Sequence, residues 1–350
     1  MPKMCSVPTQ HTGDARRIAA LAAILFTTVV WGLSFISTKS LLVGGLAPVQ
    51  VAFARHVLAS AIFLALYAAR HGARRAEARR SRRENQNPRP TVPASGAVRV
   101  LIGGVLGVTV YFMLENGGLR LTSASTASLI TGTAPVINAL AVVVLLRSRV
   151  TALQWAGIAM SCAGVYAVAQ ADLVSSLSGK AMLGNVLVFL SACAWVAYTM
   201  INKPLLDHYD NLTLNTYQTL AGTLFLVPAA LHDGLPIATW GLVVWLNILY
   251  LGAICSALSY ILYLFALEQL GSTVVTSCLN LVPFFGVLGG AVLLGESLSW
   301  MKGLGGLLAM GGVYLVTTQD ATTKPRPRSP KGWPHMQDDP TTQQARVCHP

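Results

Sequence analysis

The apolar residues of this chain are gathered into ten long runs: about 18–38, 48–69, 97–117, 124–146, 152–170, 181–201, 212–231, 245–265, 272–294 and 300–318. A helix needs about 20 apolar residues to cross a bilayer core of roughly 30 Å. Lipid offers the backbone no hydrogen-bond partners, so a spanning segment must be a helix or part of a closed barrel. Runs of this length read as helices. Composition agrees, since 53% of the residues are hydrophobic and 11% are charged, against about 25% charged in a soluble domain. The expected fold is an all-α polytopic membrane protein with ten transmembrane helices.

The net charge is +12, and the positive residues are clustered. Arg16 and Arg17 precede the first run. Arg70, Arg74, Arg75, Arg79, Arg80, Arg82, Arg83 and Arg89 crowd the loop at about 70–96, and Lys324, Arg326, Arg328 and Lys331 follow the last run. Cationic residues flanking apolar runs mark cytoplasmic loops, whereas a nucleic-acid partner would call for a folded basic surface with aromatics. With both termini inside, the outer loops keep only Lys39, Arg120, Lys180 and Lys302. The expected location is the cytoplasmic membrane, multi-pass, with the bilayer as a partner. Residues 1–17, the Arg-rich loop and 319–350 are polar and expected to be disordered. The apolar run at 18–38 is of spanning length and reads as a retained first span, not a cleavable signal. Four of the six cysteines lie inside apolar runs, and none forms a CxxC pair or a Cys/His cluster. No metal or cofactor is expected, and no Walker A sequence supports ATP as the energy source. The sequon Asn211-Leu212-Thr213 falls at the inner face and reads as a chance match.

The chain also repeats itself. A shift of 148 residues aligns Pro135 with Pro283, Gly157 with Gly305 and Gly164-Val165-Tyr166 with Gly312-Val313-Tyr314. A shift of 164 aligns Trp31 with Trp195 and Lys39 with Lys203. The Arg-rich loop accounts for the difference between the shifts. Residues 18–170 and 181–318 are therefore expected to form two five-helix repeats. Five is odd, so the second enters the membrane inverted, an arrangement transporters use around a midplane site.

"WGLSFISTK", the second span from Pro48 to Arg55, "TSASTASLITGTAPVINAL" and "LLGESLSWMKGLGGLLAMGGVYLV" resemble the EamA family of the drug/metabolite transporter superfamily. The resemblance covers about residues 18–318. It implies a ten-helix secondary transporter, and in many members the export of amino acids or related metabolites. The family pattern has a Glu after both the fourth and the ninth span. Here Glu296 follows the ninth, but its counterpart is Ser148.

Several residues could serve a transport path. Pro135 and Pro283 lie near the middle of the fourth and ninth spans, where proline breaks the helix and frees a carbonyl. Asn138 and Asn280, three residues from them, either contact substrate or bond to a neighbouring helix. Tyr111, Tyr260 and Tyr263 offer ring faces and hydroxyls to a cavity, or pack between helices. Trp31 and Trp195 lie roughly 10–12 Å from their helix ends, deeper than an interfacial belt. Tyr166 and Tyr314, near helix ends, read as belt residues. Charges inside spans need a reason. Arg55 and Glu115 lie at similar depth and are expected to pair or share a water network, either as a gate or coupling element or as a purely structural pair. His56, next to Arg55, reads as a packed or interfacial histidine. Lys39 and Lys203 are gate candidates or lipid-interface anchors.

The Gly-rich stretches of the third and tenth spans read as helix-packing faces, and the tenth leaves a homodimer open. The expected function is secondary transport, as an exporter of amino acids or related small metabolites, with a small-molecule substrate and no bond-making chemistry. Efflux of drugs or other amphipathic compounds is the alternative. A membrane enzyme lacks the His/Asp/Glu cluster it would need, and a non-transporting scaffold is the remaining reading.

Overall fold

The computed structural model describes residues 11–80, 94–146, 151–176, 179–206 and 208–322, which are almost entirely helical. The first span is His11–Val43 and the second Pro48–Arg80. The third is Ala94–Gly104, a π-helical section Val105–Val110, and Tyr111–Leu121. The fourth is broken into Ala124–Thr131 and Ala134–Leu146. The fifth, sixth and seventh are Ala152–Ser176, Gly179–Leu205 and Asn211–Asp233. The eighth begins as Leu242–Leu249, passes through a second π-helical section, Tyr250–Leu258, and runs into the helix Ser259–Leu279. Val282–Leu294 completes the ninth, and Trp300–Thr322 is the tenth.

Helix Ser259–Leu279 belongs to two spans. Thr27 Oγ1 donates to the Ser259 carbonyl, and its neighbour Thr28 Oγ1 donates to the Cys278 carbonyl. Nineteen residues of straight helix would separate those carbonyls by about 28 Å. The chain must therefore reverse within this element. Ile24 packs in one cluster with both Ala266 and Val275, which places the reversal between them. The eighth and ninth spans thus run antiparallel along the first.

Three sequence expectations change. Residues 11–17, expected to be disordered, already belong to the first helix. The second helix continues to Arg80, because Ala, Arg and Glu favour helix. The tenth reaches Thr322. The remainder of the Arg-rich loop (81–93) and of the tail (323–350) lies outside the described residues.

Polarity is inverted relative to a soluble protein. Thr27, Thr28, Asn116, Ser125, Thr126, Ser128, Ser191 and Ser259 are buried, while Phe26, Leu224, Phe225, Val292 and Leu307 are exposed. Lipid takes the place of water at that surface. Tyr166 and Tyr314 are exposed, but because their helices run on to Ser176 and Thr322 they lie about two to three turns from the helix ends rather than at them. Glycines set the helix spacing. Between the fifth and tenth spans, Gly157 abuts Gly312 and Gly164 abuts Gly305. The shift of 148 residues exchanges these two contacts, so the pair of helices packs about a local twofold. The first span packs on the eighth as the sixth packs on the third, and the second crosses the seventh.

Candidate functional site

We call the side from which the first helix sets out the near side, and the opposite one the far side. A narrow cavity of about 30 Å³ lies between the second, third, sixth, seventh and eighth spans. His56, Ala59 and Phe63 line it from the second span, Gly107, Val108 and Phe112 from the third, Tyr198 from the sixth, Asn215, Gln218 and Thr219 from the seventh, and Ser256 and Tyr260 from the eighth. It has room for about two or three waters, so this conformation is closed to a metabolite.

Backbone irregularity builds the site. The two π-helical sections sit at equivalent places, since the shift of 148 carries Val105–Val110 onto 253–258. A π turn re-aims side chains and leaves a carbonyl outside the regular ladder, and such turns occur at functional sites. Here Ser256 Oγ donates to the Leu251 carbonyl at 2.8 Å, five residues back. Glycines bring the walls together. A Cβ at Gly103 would collide with the Gln218 amide, and one at Gly107 with the Tyr198 ring. Gln218 is buried and donates through Nε2 to Asn202 Oδ1 at 2.6 Å, while its own Oε1 has no hydrogen-bond partner.

Of the aromatics singled out from the sequence, Tyr260 lines the cavity, and Trp31, Tyr111 and Trp195 pack against its lining rings. Trp31 lies against Tyr260 and Tyr263, with ring centroids 5.5 and 5.9 Å apart, and its Nε1 donates to the Cys255 carbonyl. Tyr111 lies 5.4 Å from Trp195, which lies 5.2 Å from Tyr198. The two tryptophans thus begin parallel chains of rings, one from each repeat.

Arg55 and Glu115 are both buried, but no ion pair within 4.0 Å joins them. Of the two expected arrangements, a pair or a shared water network, the direct pair is not formed. Arg55 donates to Ser256 Oγ from Nη2 at 3.0 Å and from Nε at 3.3 Å, and its guanidinium sits 4.4 Å from the centre of the Phe112 ring. Glu115 accepts from the Tyr111 hydroxyl at 2.6 Å. Each charge has found a neutral partner one helix turn or one helix away. His56, expected to be a packing residue, lines the cavity 4.5 Å from the Phe112 ring.

The prolines mark helix breaks, although not as mid-helix kinks. Pro135 and Pro283 each occupy the first turn of a new helix, where the missing N–H is harmless. The chain breaks just before each of them, and Gly132 at one break abuts Pro283 at the other. Thr131 and Thr133 donate to the carbonyls of Ala127 and Ile130, satisfying groups that lipid cannot. Asn138 is half-buried in the second half of the fourth span, and Asn280 sits in the turn before the ninth resumes. Neither is among the residues lining the cavity.

Lys39 reaches neighbouring backbone. Its Nζ donates to the carbonyls of Leu119 and Thr122, both at 2.7 Å, at the far end of the third span. A cation belongs there because the helix C-terminus is negative. Glu296 does the converse. Its carboxylate accepts from Ala124 N at 2.7 Å, Ser125 N at 3.0 Å and Ser125 Oγ at 2.5 Å, at the N-terminus of the fourth span. Lys302 Nζ adds a 3.3 Å contact to Ser123 Oγ. The first, ninth and tenth spans thereby hold the far-side corner between the third and fourth. Ser148, the counterpart of Glu296, and the side chain of Lys203 lie outside the described residues.

The second and seventh spans close the cavity at both ends. On the far side, Gln50 Nε2 donates to the Gly234 carbonyl at 2.8 Å. On the near side, Arg70 pairs with Asp210 at 2.7 Å and the Tyr67 and Tyr217 hydroxyls meet at 3.1 Å. Among the described residues, no group of three or more His, Cys, Asp or Glu side chains is placed to hold a metal ion.

The comparisons decide the family. The EamA-like transporter family matches residues 18–170 and 182–318. The chain belongs to that family. As an EamA-like transporter it is a multi-pass membrane protein, and its relatives carry transporter names. It is 30% identical over 300 residues to a probable terminal-alkyne amino-acid exporter of Streptantibioticus cattleyicolor, covering 85% of this chain and 93% of that one. It is 29% identical over 298 residues to an uncharacterized transporter of Archaeoglobus fulgidus, covering 85% and 96%. Over 173 residues, 46% of this chain and 56% of the other, it is 31% identical to a probable amino-acid metabolite efflux pump of Salmonella typhimurium. A crystal structure at 17% identity shares the fold with a TM-score of 0.57, covering 87% of this chain and 98% of that one.

Sequence reasoning did not identify Phe63, Phe112, Tyr198, Asn215, Gln218 or Ser256 as cavity residues. The signal for two of them was present. Asn215 and Gln218 are polar side chains inside an apolar run, and such residues face a bundle interior or a cavity. Nothing in the sequence announced the π turns that aim Ser256.

Proposed function

We propose that this EamA-like transporter exports amino acids or related small metabolites across the cytoplasmic membrane by alternating access. The observation that carries the reading is the cavity: enclosed among five spans, lined by neutral polar groups and aromatic rings, and closed on both sides by the second and seventh spans. Such a site binds a small molecule that has one polar end and some apolar bulk. The names of two relatives, an amino-acid exporter and an amino-acid metabolite efflux pump, point the same way. Trp31, Tyr111, Trp195, Tyr260 and Tyr263 form the walls, joined by Tyr198, Gln218 and Ser256. The breaks before Pro135 and Pro283 allow the fourth and ninth spans to bend. The two repeats, 18–170 and 181–318, rock about the cavity, and both termini are cytoplasmic, so the near side is the inner one.

The test is counterflow in proteoliposomes preloaded with a panel of amino acids. Accumulation of at least one of them, lost in Gln218→Leu, supports the reading. If no amino acid moves while amphipathic amines or dyes do, the protein is a drug-type efflux carrier, a reading the two chains of aromatic rings favour.

A further inference from the structure

Among the described residues, the buried side chains that carry a formal charge are Arg55, Glu115 and Lys302. Lys302 sits at the far-side corner already described. Arg55 and Glu115 lie beside the cavity, and they differ from ordinary buried charges. A guanidinium taken out of water needs a counter-ion or a full set of acceptors, or its burial is strongly unfavourable. Arg55 has five N–H donors. The serine hydroxyl receives Nε and Nη2, a ring face covers the group, and no carboxylate lies within 4.0 Å. Glu115 likewise has one hydroxyl donor and no cation in contact.

Neither group lines the cavity itself, but the residues around both of them meet at it. Ser256 and Phe112, which hold Arg55, and its neighbour His56 all line the cavity. Tyr111, which holds Glu115, packs edge-on against Phe112 at 4.7 Å and lies against Trp195. A positive and a negative group beside one low-dielectric cavity offer a bound molecule two poles. In such surroundings a molecule bearing both charges is bound more strongly than one bearing either alone.

We propose that Arg55 reads the carboxylate of the transported molecule and Glu115, set by Tyr111, reads its ammonium, so that the substrate class is the zwitterionic α-amino acids. The inference rests on the cavity being the transport site. The planar fork of arginine suits a carboxylate held by two hydrogen bonds, which a lysine cannot reproduce. The aromatic walls take the side chain of the substrate. Bound together, substrate and site are neutral pole against pole, which removes the penalty of carrying a separated charge through the hydrocarbon.

The experiment uses the full-length protein in proteoliposomes and counterflow of labelled L-phenylalanine, with L-phenylalaninamide, phenethylamine and 3-phenylpropionate as competitors. Each competitor lacks one charge of the amino acid. In the wild type each should compete about tenfold or more weakly than unlabelled L-phenylalanine, from the loss of charge-assisted hydrogen bonds. Arg55→Gln should remove the preference over the amide and the amine, and Arg55→Lys should restore part of it. Glu115→Gln should remove the preference over 3-phenylpropionate. Melting and size-exclusion profiles like the wild type's are required of each variant, and binding of the four compounds by thermal shift gives a readout that needs no flux. The proposal is overturned if the wild type does not discriminate, or if folded Arg55→Gln discriminates as the wild type does. Absence of any flux or shift with all four compounds, and with a wider amino-acid panel, overturns the transport reading itself.

Discussion

The two ends of the seam between the second and seventh spans are built from equivalent positions and different chemistry. The shift of 164 residues carries Gln50 and Gly234 onto Leu214 and Arg70, and Asp210 lies one helix turn before Leu214. On the far side, a buried amide donates to a carbonyl. On the near side, a half-exposed ion pair and two tyrosine hydroxyls make the closure. A buried neutral hydrogen bond leaves an unsatisfied group behind when it breaks, and salt does not screen it. An exposed ion pair exchanges readily with water and weakens with ionic strength. The far side also has Glu296 and Lys39 gripping the adjacent corner. The far contact is therefore the firmer one, and under the proposed alternating access the near side is expected to open first.

Four variants break or sharpen that contrast. Glu296→Ala should have the largest effect, since it strips the acceptor from two backbone N–H groups and a hydroxyl at a helix N-terminus. A loss of about 2–3 kcal/mol is expected in thermal or denaturant melts of the purified protein, and a melt unchanged from wild type would show the corner to be self-supporting. Gln50→Leu should follow at about 1–3 kcal/mol. It should also raise labelling of the buried Cys255 thiol by a membrane-impermeant reagent added on the far side, located by peptide mass. Unchanged labelling would mean the amide is not part of the closure. Lys39→Met removes the cation from the end of the third span and should cost about 1–2 kcal/mol, with loss of flux and retention of the protein in the membrane. Normal transport by Lys39→Met would leave the lysine as an anchor only. Arg70→Gln should be smallest, about 0–1 kcal/mol. High salt should mimic it in the wild type and add nothing in the variant, and a salt response persisting in Arg70→Gln would place the screened contact elsewhere.

Much of the architecture was legible in one dimension. Span number followed from run length, because each helix in lipid must satisfy its own backbone. The pairing of Gly157 with Gly312 and of Gly164 with Gly305 was foreshadowed by their common register. Tyr260, marked by its ring and hydroxyl, does line the cavity, while Trp31 and Trp195, marked by their depth, pack against its lining rings. Other features were opaque. Arg55 and Glu115 share a depth, which made a pair or a shared water network the natural expectation. Depth along a helix says nothing about azimuth, and each side chain instead meets a hydroxyl. Lys39 and Glu296 read as residues at a mouth, yet their partners are backbone groups 80 or more residues away in sequence. Asn138 and Asn280 were marked by proximity to proline, but the prolines open new helices and leave the amides off the cavity wall.

Hydropathy sufficed for the spans, because a bilayer imposes its requirement on each segment separately, and the motifs carried the family. The contents of the cavity are set by pairs of helices. Gln218 enters because Gly103 lets the seventh span approach, Tyr198 because Gly107 does, and Ser256 because the eighth span winds into a π turn. Close approach and local winding are settled only when neighbouring helices pack, so those residues took their places in three dimensions.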